Sequence, residues 1–168
     1  MALACRVLGR ALRVPEAHRE PLCPVSRAGA ATAVTPEQLR LNVALEVERG
    51  DQALSAAEAL VQAQLPYDAA SRAYYAAFHF ARALCLAAGE APVSHRGVAH
   101  LLSLLYVRTA VLPPDTSRLY AGLQRYRESA DYDAAFVLDA AGTAQALDDA
   151  KVLVERCRTW LRSQALVD

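Results

Sequence analysis

The chain has 168 residues, 54% of them hydrophobic, and its 18 Lys and Arg residues balance 18 Asp and Glu residues. This length predicts a single domain whose core is large enough to be stable without disulfides. The charge balance excludes a generally basic nucleic-acid-binding surface but leaves a local basic patch open, and no apolar run reaches the ~20 residues that a membrane span needs.

The first 34 residues differ in composition from the rest of the chain. Residues 1–34 contain five Arg and two Glu, a net charge of +3, so the remainder carries −3. A transit peptide would be rich in Arg, but Glu16 and Glu20 argue against one, and a functional basic arm is a second reading. We favour a disordered leader or an incorrectly assigned start just before the domain, which then spans residues 35–168. Mass spectrometry of the native N-terminus decides between them.

The first predicted helix begins at Thr35 and runs to about residue 64. Thr35 and Gln38 can form a capping box, and Pro36 suits the first helical position. Apolar residues recur every three, four or seven positions along it, as on one face of a helix. The exposed face is predicted to carry the charged residues Arg40, Glu46, Glu48, Arg49, Asp51 and Glu58.

The second predicted helix spans about residues 69–88, with Asp68 as its cap and Gly89 just after its end. It is apolar almost all round, which predicts a central position in a helical bundle. Its polar residues Ser71, Tyr75, His79 and Arg82 recur at four, four and three positions and therefore form one stripe.

Three further helices follow in the sequence. Ser94 can cap a third helix that ends at about residue 106, and Pro113-Pro114-Asp115 begins a fourth that ends near residue 130. After a loop over about 131–142, Thr143 can cap a last helix to about residue 164, with Cys157 and Trp160 on its inner face. Five helices with short connections predict an all-α, antiparallel bundle of four to five helices.

Cysteine and histidine spacing does not indicate a metal site. Cys5, Cys23, Cys85 and Cys157 lack the close pairing of zinc ligands, and His95 and His100, five residues apart, do not share a helical face. We expect no cofactor, and we interpret the thiols as buried and reduced in a cytoplasmic protein. His95, next to the predicted cap Ser94, is interpreted as a polar residue of the helix start.

The segment 70–84, which reads ASRAYYAAFHFARAL, resembles the second helix of HEPN-domain proteins, small helical domains of higher eukaryotes and prokaryotes. Three further pieces agree in order and spacing: residues 94–98 (SHRGV), 112–114 (LPP) and 127–132 (RESADY). The resemblance covers roughly residues 37–163.

The resemblance implies a HEPN-like bundle that pairs into a homodimer. Many relatives are metal-independent ribonucleases, commonly toxins of toxin–antitoxin pairs whose antitoxin is a small nucleotidyltransferase. Others lack catalysis and act as RNA-binding, nucleotide-binding or protein-binding modules. In the catalytic relatives an Arg is followed by a His after four to six residues, near the end of a helix and at the dimer interface.

This sequence departs from that motif. With four residues between them, Arg127 is followed by Tyr132 in the place of the His, and in the frame that begins at Arg125 the place is taken by Ala130. We therefore predict an accessory module that binds RNA or a nucleotide with a partner protein. The alternatives are an active metal-independent endoribonuclease toxin and a purely structural protein-interaction module.

Arg127, Tyr132 and His79 are the candidate catalytic residues. Arg127 can clamp a phosphate, and Tyr132 can hydrogen-bond a phosphate, stack on a base or, by family analogy, accept a nucleotidyl group. Five residues rotate about 140° around a helix, so Arg127 and Tyr132 converge only if the helix ends near residue 130. Alternatively, Arg127, Asp131 and Tyr132 merely fix the helix end.

His79 would supply the missing base if its stripe faced the cleft, because imidazole titrates near neutral pH. The alternative is a buried histidine whose hydrogen bonds are satisfied within the fold. The candidate binding residues are Tyr75 and Arg82 on the same helix, and Arg125 and Asp131 beside Arg127.

Overall fold

The computed structural model describes residues 35–133 and 135–167, and the predicted leader lies outside the described residues. The fold consists of five α-helices: α1 (Pro36–Gln62), α2 (Pro66–Ala87), α3 (His95–Leu102), α4 (Thr116–Tyr132) and α5 (Ala140–Ser163). A short π-helical turn, Ser103–Val107, continues α3. The predicted all-α helical bundle is thus confirmed.

Two of the four predicted helix caps, Thr35 and Ser94, are confirmed in detail. The Thr35 hydroxyl accepts a hydrogen bond from the Gln38 amide, and the Gln38 side chain accepts one from the Thr35 amide, so the capping box is complete. Ser94 caps α3 by accepting a hydrogen bond from the Gly97 amide at 3.0 Å. Gly89 follows the end of α2 with a positive φ of 82°, as predicted for a helix terminator.

The other two predicted caps are wrong. Helix α2 begins at Pro66, ahead of Asp68, because the fixed φ of proline suits a first helical residue even without a side-chain cap. Helix α5 begins at Ala140, where the Asp139 carboxylate accepts the Gly142 amide hydrogen at 2.7 Å. Thr143 is instead buried in the first turn of that helix.

Helix α2 lies at the centre of the bundle and packs against α1, α3, α4 and α5. Its alanines at 73, 76, 77, 81 and 83 are fully buried and let the neighbouring helices approach closely. At Gly50 of α1 the approach is closest: a Cβ added there would lie 2.5 Å from Cδ2 of Phe80. The packing of α1 on α2 therefore requires a glycine.

The prediction that Glu46 lies on the exposed face of α1 is wrong. We predicted an exposed side chain, but Glu46 is only 6% exposed, because it lies on the stripe of Val43, Val47 and Gly50 that faces α2. A carboxylate in that position needs partners in the fold, and α2 supplies them, as described below.

The ends of the bundle are joined by ion pairs and aromatic contacts. Arg156 of α5 binds Asp115 at the start of α4 with two hydrogen bonds, of 2.9 and 3.1 Å. The Trp160 ring, partly buried on the inner face of α5, packs edge-on against Tyr106 with 4.9 Å between ring centroids. Cys85 and Cys157 are buried free thiols, as predicted, whereas Cys5 and Cys23 lie outside the described residues.

Candidate functional site

Five aromatic rings of α2 and α3 form one cluster on the surface of the bundle. The aromatic–histidine cluster consists of Tyr74, Tyr75, Phe78 and His79 of α2 and His95 of α3. The His95 ring lies 4.4 Å from Phe78 between centroids, and its Nδ1 lies 2.7 Å from the Tyr74 hydroxyl. Tyr74 is buried, whereas Tyr75, Phe78, His79 and His95 are partly exposed, so the cluster presents two imidazoles to a surface.

Arg127 lies on the face of α4 that meets this cluster. Tyr120, Leu123 and Arg127 follow at three- and four-residue spacing and therefore share a helical face, and Tyr120 and Leu123 are buried. The Tyr120 hydroxyl lies 3.4 Å from that of Tyr74. The face of α4 that carries Arg127 is thus the face packed on α2.

The Arg127 side chain is held by the end of its own helix. Its Nε lies 2.8 Å from a carboxylate oxygen of Asp131, its Nη2 lies 3.5 Å from the Tyr132 hydroxyl, and its Cζ lies 5.3 Å from the Tyr132 ring centroid. Partial burial would lower the pKa of the guanidinium, but Asp131, Tyr75 and Tyr132 raise it instead. Arg127 is therefore a permanent cation at this surface.

The route by which Arg127 and Tyr132 meet differs from the expected one. The helix does not end near residue 130 but continues through Tyr132. The two residues are still separated by about 140° of rotation, and their contact depends on the length of the Arg127 side chain. Tyr132 remains 77% exposed, so its ring is available to a ligand.

His79 and Arg82, both candidate residues, are held by Glu46. The His79 Nδ1 lies 2.8 Å from one carboxylate oxygen of Glu46, and the Arg82 Nη1 lies 3.1 Å from the other. Burial would raise the pKa of the Glu46 carboxyl, but the hydrogen bond with His79 and the charge of Arg82 lower it below its usual value. This geometry corresponds to the alternative reading of His79 as a histidine satisfied within the fold.

His95, interpreted from the sequence only as a polar residue of the helix start, belongs to this cluster and contacts Tyr74. Its burial, and the proximity of Arg127 and His79, lower the pKa of its imidazole, so the neutral form predominates at pH 7. Burial also raises the pKa of the Tyr74 hydroxyl that contacts it, so the phenol stays protonated. The sequence does show an aromatic segment in α2 and a histidine at the start of α3. It does not show that Tyr74 and His95 contact each other, because they are 21 residues apart.

Arg125 does not join this group. It is exposed and lies about 200° around α4 from Arg127. Seven residues separate it from Arg118, which is also exposed, so these two guanidiniums share the outer face of the helix. In residues 35–133 and 135–167 there is no group of three or more His, Cys, Asp or Glu side chains that could hold a metal ion.

Comparison with known proteins gives one consistent result. Residues 44–161 match the family model of the HEPN domain. A candidate toxin of Methanocaldococcus jannaschii is 33% identical over 100 residues, covering 60% of this chain and 75% of the relative. A second candidate toxin of that organism is 26% identical over 132 residues, covering 77% and 90% of the two chains. A UPF0332 protein of Gloeobacter violaceus is 30% identical over 129 residues, covering 77% and 94%.

Proposed function

The chain belongs to the HEPN domain family, and on that basis we propose that it is a toxin-type member that binds RNA through Arg127. The observation that carries the proposal is the position of Arg127, a permanent cation beside partly exposed tyrosine and histidine rings. A guanidinium recognises a phosphate with two parallel hydrogen bonds, and aromatic rings stack on unpaired bases. The two relatives named as candidate toxins support the toxin class.

The proposed ligand is single-stranded RNA, bound at few phosphates. The net charge of the chain is zero, which does not favour broad electrostatic attraction to duplex nucleic acid. Arg127 would hold one phosphate, and the rings of Tyr132 and Tyr75 would contact the neighbouring bases. Asp131 fixes the direction of Arg127 and would remain in place when a phosphate binds the outer nitrogens.

We also propose that the protein acts in the cytoplasm as a homodimer with a partner protein, a small nucleotidyltransferase antitoxin being the class that the family resemblance implies. Expression alone should then arrest growth, and co-expression of such a partner should relieve the arrest. Relief without a stable complex between the two proteins would contradict a binding antitoxin. In the described residues no helix is both long and apolar enough to cross a membrane.

The test of RNA binding is fluorescence anisotropy with a 5′-labelled single-stranded RNA. We expect Arg127→Ala to weaken binding by about tenfold, the loss of roughly 1.4 kcal/mol from one phosphate contact. Arg118→Ala, which removes an exposed guanidinium from the opposite face of α4, is the matched control and should bind like the wild type. Arg127→Lys keeps the positive charge but loses the bidentate geometry of the guanidinium, so its affinity for RNA should lie between those of Arg127→Ala and the wild type.

A purely structural role for Arg127 predicts a different result, because its contacts with Asp131 and Tyr132 also fix the end of α4. Arg127→Ala would then lower the melting temperature and leave the affinity for RNA unchanged. That outcome, in a variant whose folding is confirmed by circular dichroism, would refute the binding proposal.

A further inference from the structure

We propose that the first 14 residues of this chain dock onto the acidic end of its own helical bundle. The acidic end is the surface where α1 and α4 end and where α2 and α5 begin. Of the alternatives for residues 1–34, the proposal takes up the functional basic arm. It is independent of RNA binding at Arg127.

Short connections bring these four helix termini together. Residues 63–65 join the end of α1 to the start of α2, and residues 133–139 join the end of α4 to the start of α5. The Tyr67 hydroxyl, in the first turn of α2, donates a hydrogen bond of 3.1 Å to the carbonyl oxygen of Phe136. The connection after α4 therefore lies against the start of α2.

The charged side chains at the acidic end all have the same sign. Residues 58–71 and 128–150 contain no Lys, Arg or His but eight carboxylates: Glu58, Asp68, Glu128, Asp131, Asp133, Asp139, Asp148 and Asp149. Only two of the eight have an ion-pair partner within the described residues: Lys151 lies 2.8 Å from Glu58, and Arg127 lies 2.8 Å from Asp131. The remaining negative charge favours the binding of a cationic segment.

Large apolar side chains are exposed at the same end. Leu65 is 46% exposed, Tyr67 is 40% exposed and Val137 is 81% exposed. Leu65 directly precedes α2, and Tyr67 contacts the connection that carries Val137, so all three belong to the acidic end. Exposed apolar groups bordered by charge are typical of an interaction site, and here they fit a segment that is both apolar and basic.

The first 14 residues of the chain have this composition. They contain three arginines and no acidic residue. The arginines, at positions 6, 10 and 13, recur at four and three residues, and Cys5, Leu8 and Leu12 recur at three and four. In a helix the arginines would share one face and the apolar side chains another. Such a segment could place its apolar face on Leu65, Tyr67 and Val137 and its cations beside the carboxylates.

The connecting residues are long enough for this contact. Helix α1 has 27 residues, so Thr35 lies about 40 Å from the acidic end. Residues 15–34, when extended, span up to about 66 Å, and the residues before Pro15, Pro21 and Pro24 favour extended backbone. A tether of this kind gives an effective concentration on the order of 1 mM. A contact that is weak between separate molecules would therefore be populated within one chain.

The experiment measures the rate at which iodoacetamide alkylates Cys5 in the full chain and in a synthetic peptide of residues 1–14. Mass spectrometry follows each cysteine separately. Docking covers the face that carries Cys5, so Cys5 should react about three- to tenfold more slowly in the chain than in the peptide. Added salt should reduce this protection, because it screens exposed charges. Cys23, in the connecting residues, is the internal reference, and Cys85 and Cys157 are buried.

Two pairs of variants, each with its fold confirmed by circular dichroism, locate the contact. Asp68→Lys reverses a charge in the first turn of α2, and Val137→Ser removes an exposed apolar side chain. Both should bring the Cys5 rate close to that of the peptide. Glu90→Lys makes the same change of charge beyond the other end of α2, and Val93→Ser removes a fully exposed apolar side chain there. These two controls should keep the protection of the wild type.

Four results would overturn the proposal. The first is an equal Cys5 rate in the wild-type chain and the peptide, and the second is a native protein whose N-terminus lies after residue 14. Protection that persists in Asp68→Lys or in Val137→Ser would place the segment on another surface. Protection that increases with protein concentration would mean that the segment of one copy docks on a second copy.

Discussion

Glu46 links α1 to α2 through a buried network of ion pairs. Its buried carboxylate accepts hydrogen bonds from His79 and Arg82, and Arg49 lies 3.9 Å away. Removing one partner of a buried ion pair is costly because the other charges remain desolvated. The pKa of the Glu46 carboxyl is lowered in the fold, so this carboxylate also makes stability depend on pH.

We predict that Glu46→Gln lowers the free energy of unfolding by roughly 1–3 kcal/mol at pH 7. The wild-type contribution is present above the unfolded pKa of about 4.5 and is lost as the pH falls through the lower pKa of the folded state. The difference between wild type and variant should therefore shrink below about pH 4.5. Urea denaturation at several pH values measures this.

Glu48→Gln is the control for that prediction, because Glu48 is exposed on α1 and bonded to the side chain of Gln52. Its stability should stay within about 0.5 kcal/mol of the wild type. If both substitutions changed the free energy of unfolding equally, the ion pairs around Glu46 would contribute no more to stability than the exposed hydrogen bond of Glu48.

At the scale of the residue, the side-chain contacts that could be predicted from the sequence are those between residues close together in the chain. The capping box at Thr35 was predicted correctly because its two members are three residues apart. The partnership of Glu46 with His79 and of Tyr74 with His95 was missed, since their members are 33 and 21 residues apart. The pattern of charged residues along α1 does not show which of them faces α2. Because Glu46 is charged, it was placed on the exposed face, whereas it is buried against α2.

At the scale of the element, helix packing is most constrained where α1 crosses α2. The absence of a side chain at Gly50 lets the Phe80 ring lie directly against the α1 backbone. Gly122 of α4 is also within a helix, but a Cβ added there would meet no atom within 4 Å. The two glycines therefore have opposite roles in similar backbone.

We predict opposite effects of alanine at these two positions. Gly122→Ala should raise the free energy of unfolding by about 0.5–1 kcal/mol, because alanine is the better helix former. Gly50→Ala should lower it by about 1–3 kcal/mol, because overpacking outweighs the same gain. Thermal denaturation of both variants measures the difference, and a stabilised Gly50→Ala would mean that Phe80 moves aside easily.

Helix bounds were predictable within a few residues because they depend on local signals, with two instructive exceptions. Helix α2 begins at Pro66, ahead of the predicted cap Asp68. Helix α5 is capped by Asp139 and not by Thr143. In both places two adjacent signals competed within four residues, and the sequence does not show which of them the tertiary contacts favour.

At the scale of the whole molecule, the distribution of charge limits how RNA can bind. The chain is neutral overall, and Arg49, Arg82, Arg127, Arg156 and Arg158 already face carboxylates. Few cations are therefore left to neutralise phosphates, and binding at Arg127 should depend on salt only weakly.

We predict a slope of about −1 to −2 when the logarithm of the RNA association constant is plotted against the logarithm of the salt concentration. Arg127→Ala should bring the slope closer to zero by about one. Anisotropy titrations between low and physiological salt give both values. A much steeper slope, unchanged by the substitution, would locate the RNA on another part of the surface.

The burial of Glu46 also fixes the register of the first two helices. A slip of one turn between α1 and α2 moves each residue by about 5.4 Å. Such a slip would take the carboxylate away from His79 and Arg82 and bring a residue with a side chain, in place of Gly50, against Phe80. The two features exclude the same misalignment by different means, one electrostatic and one steric. An alanine-rich interface, whose small and similar residues would fit many alignments, is thereby restricted to one.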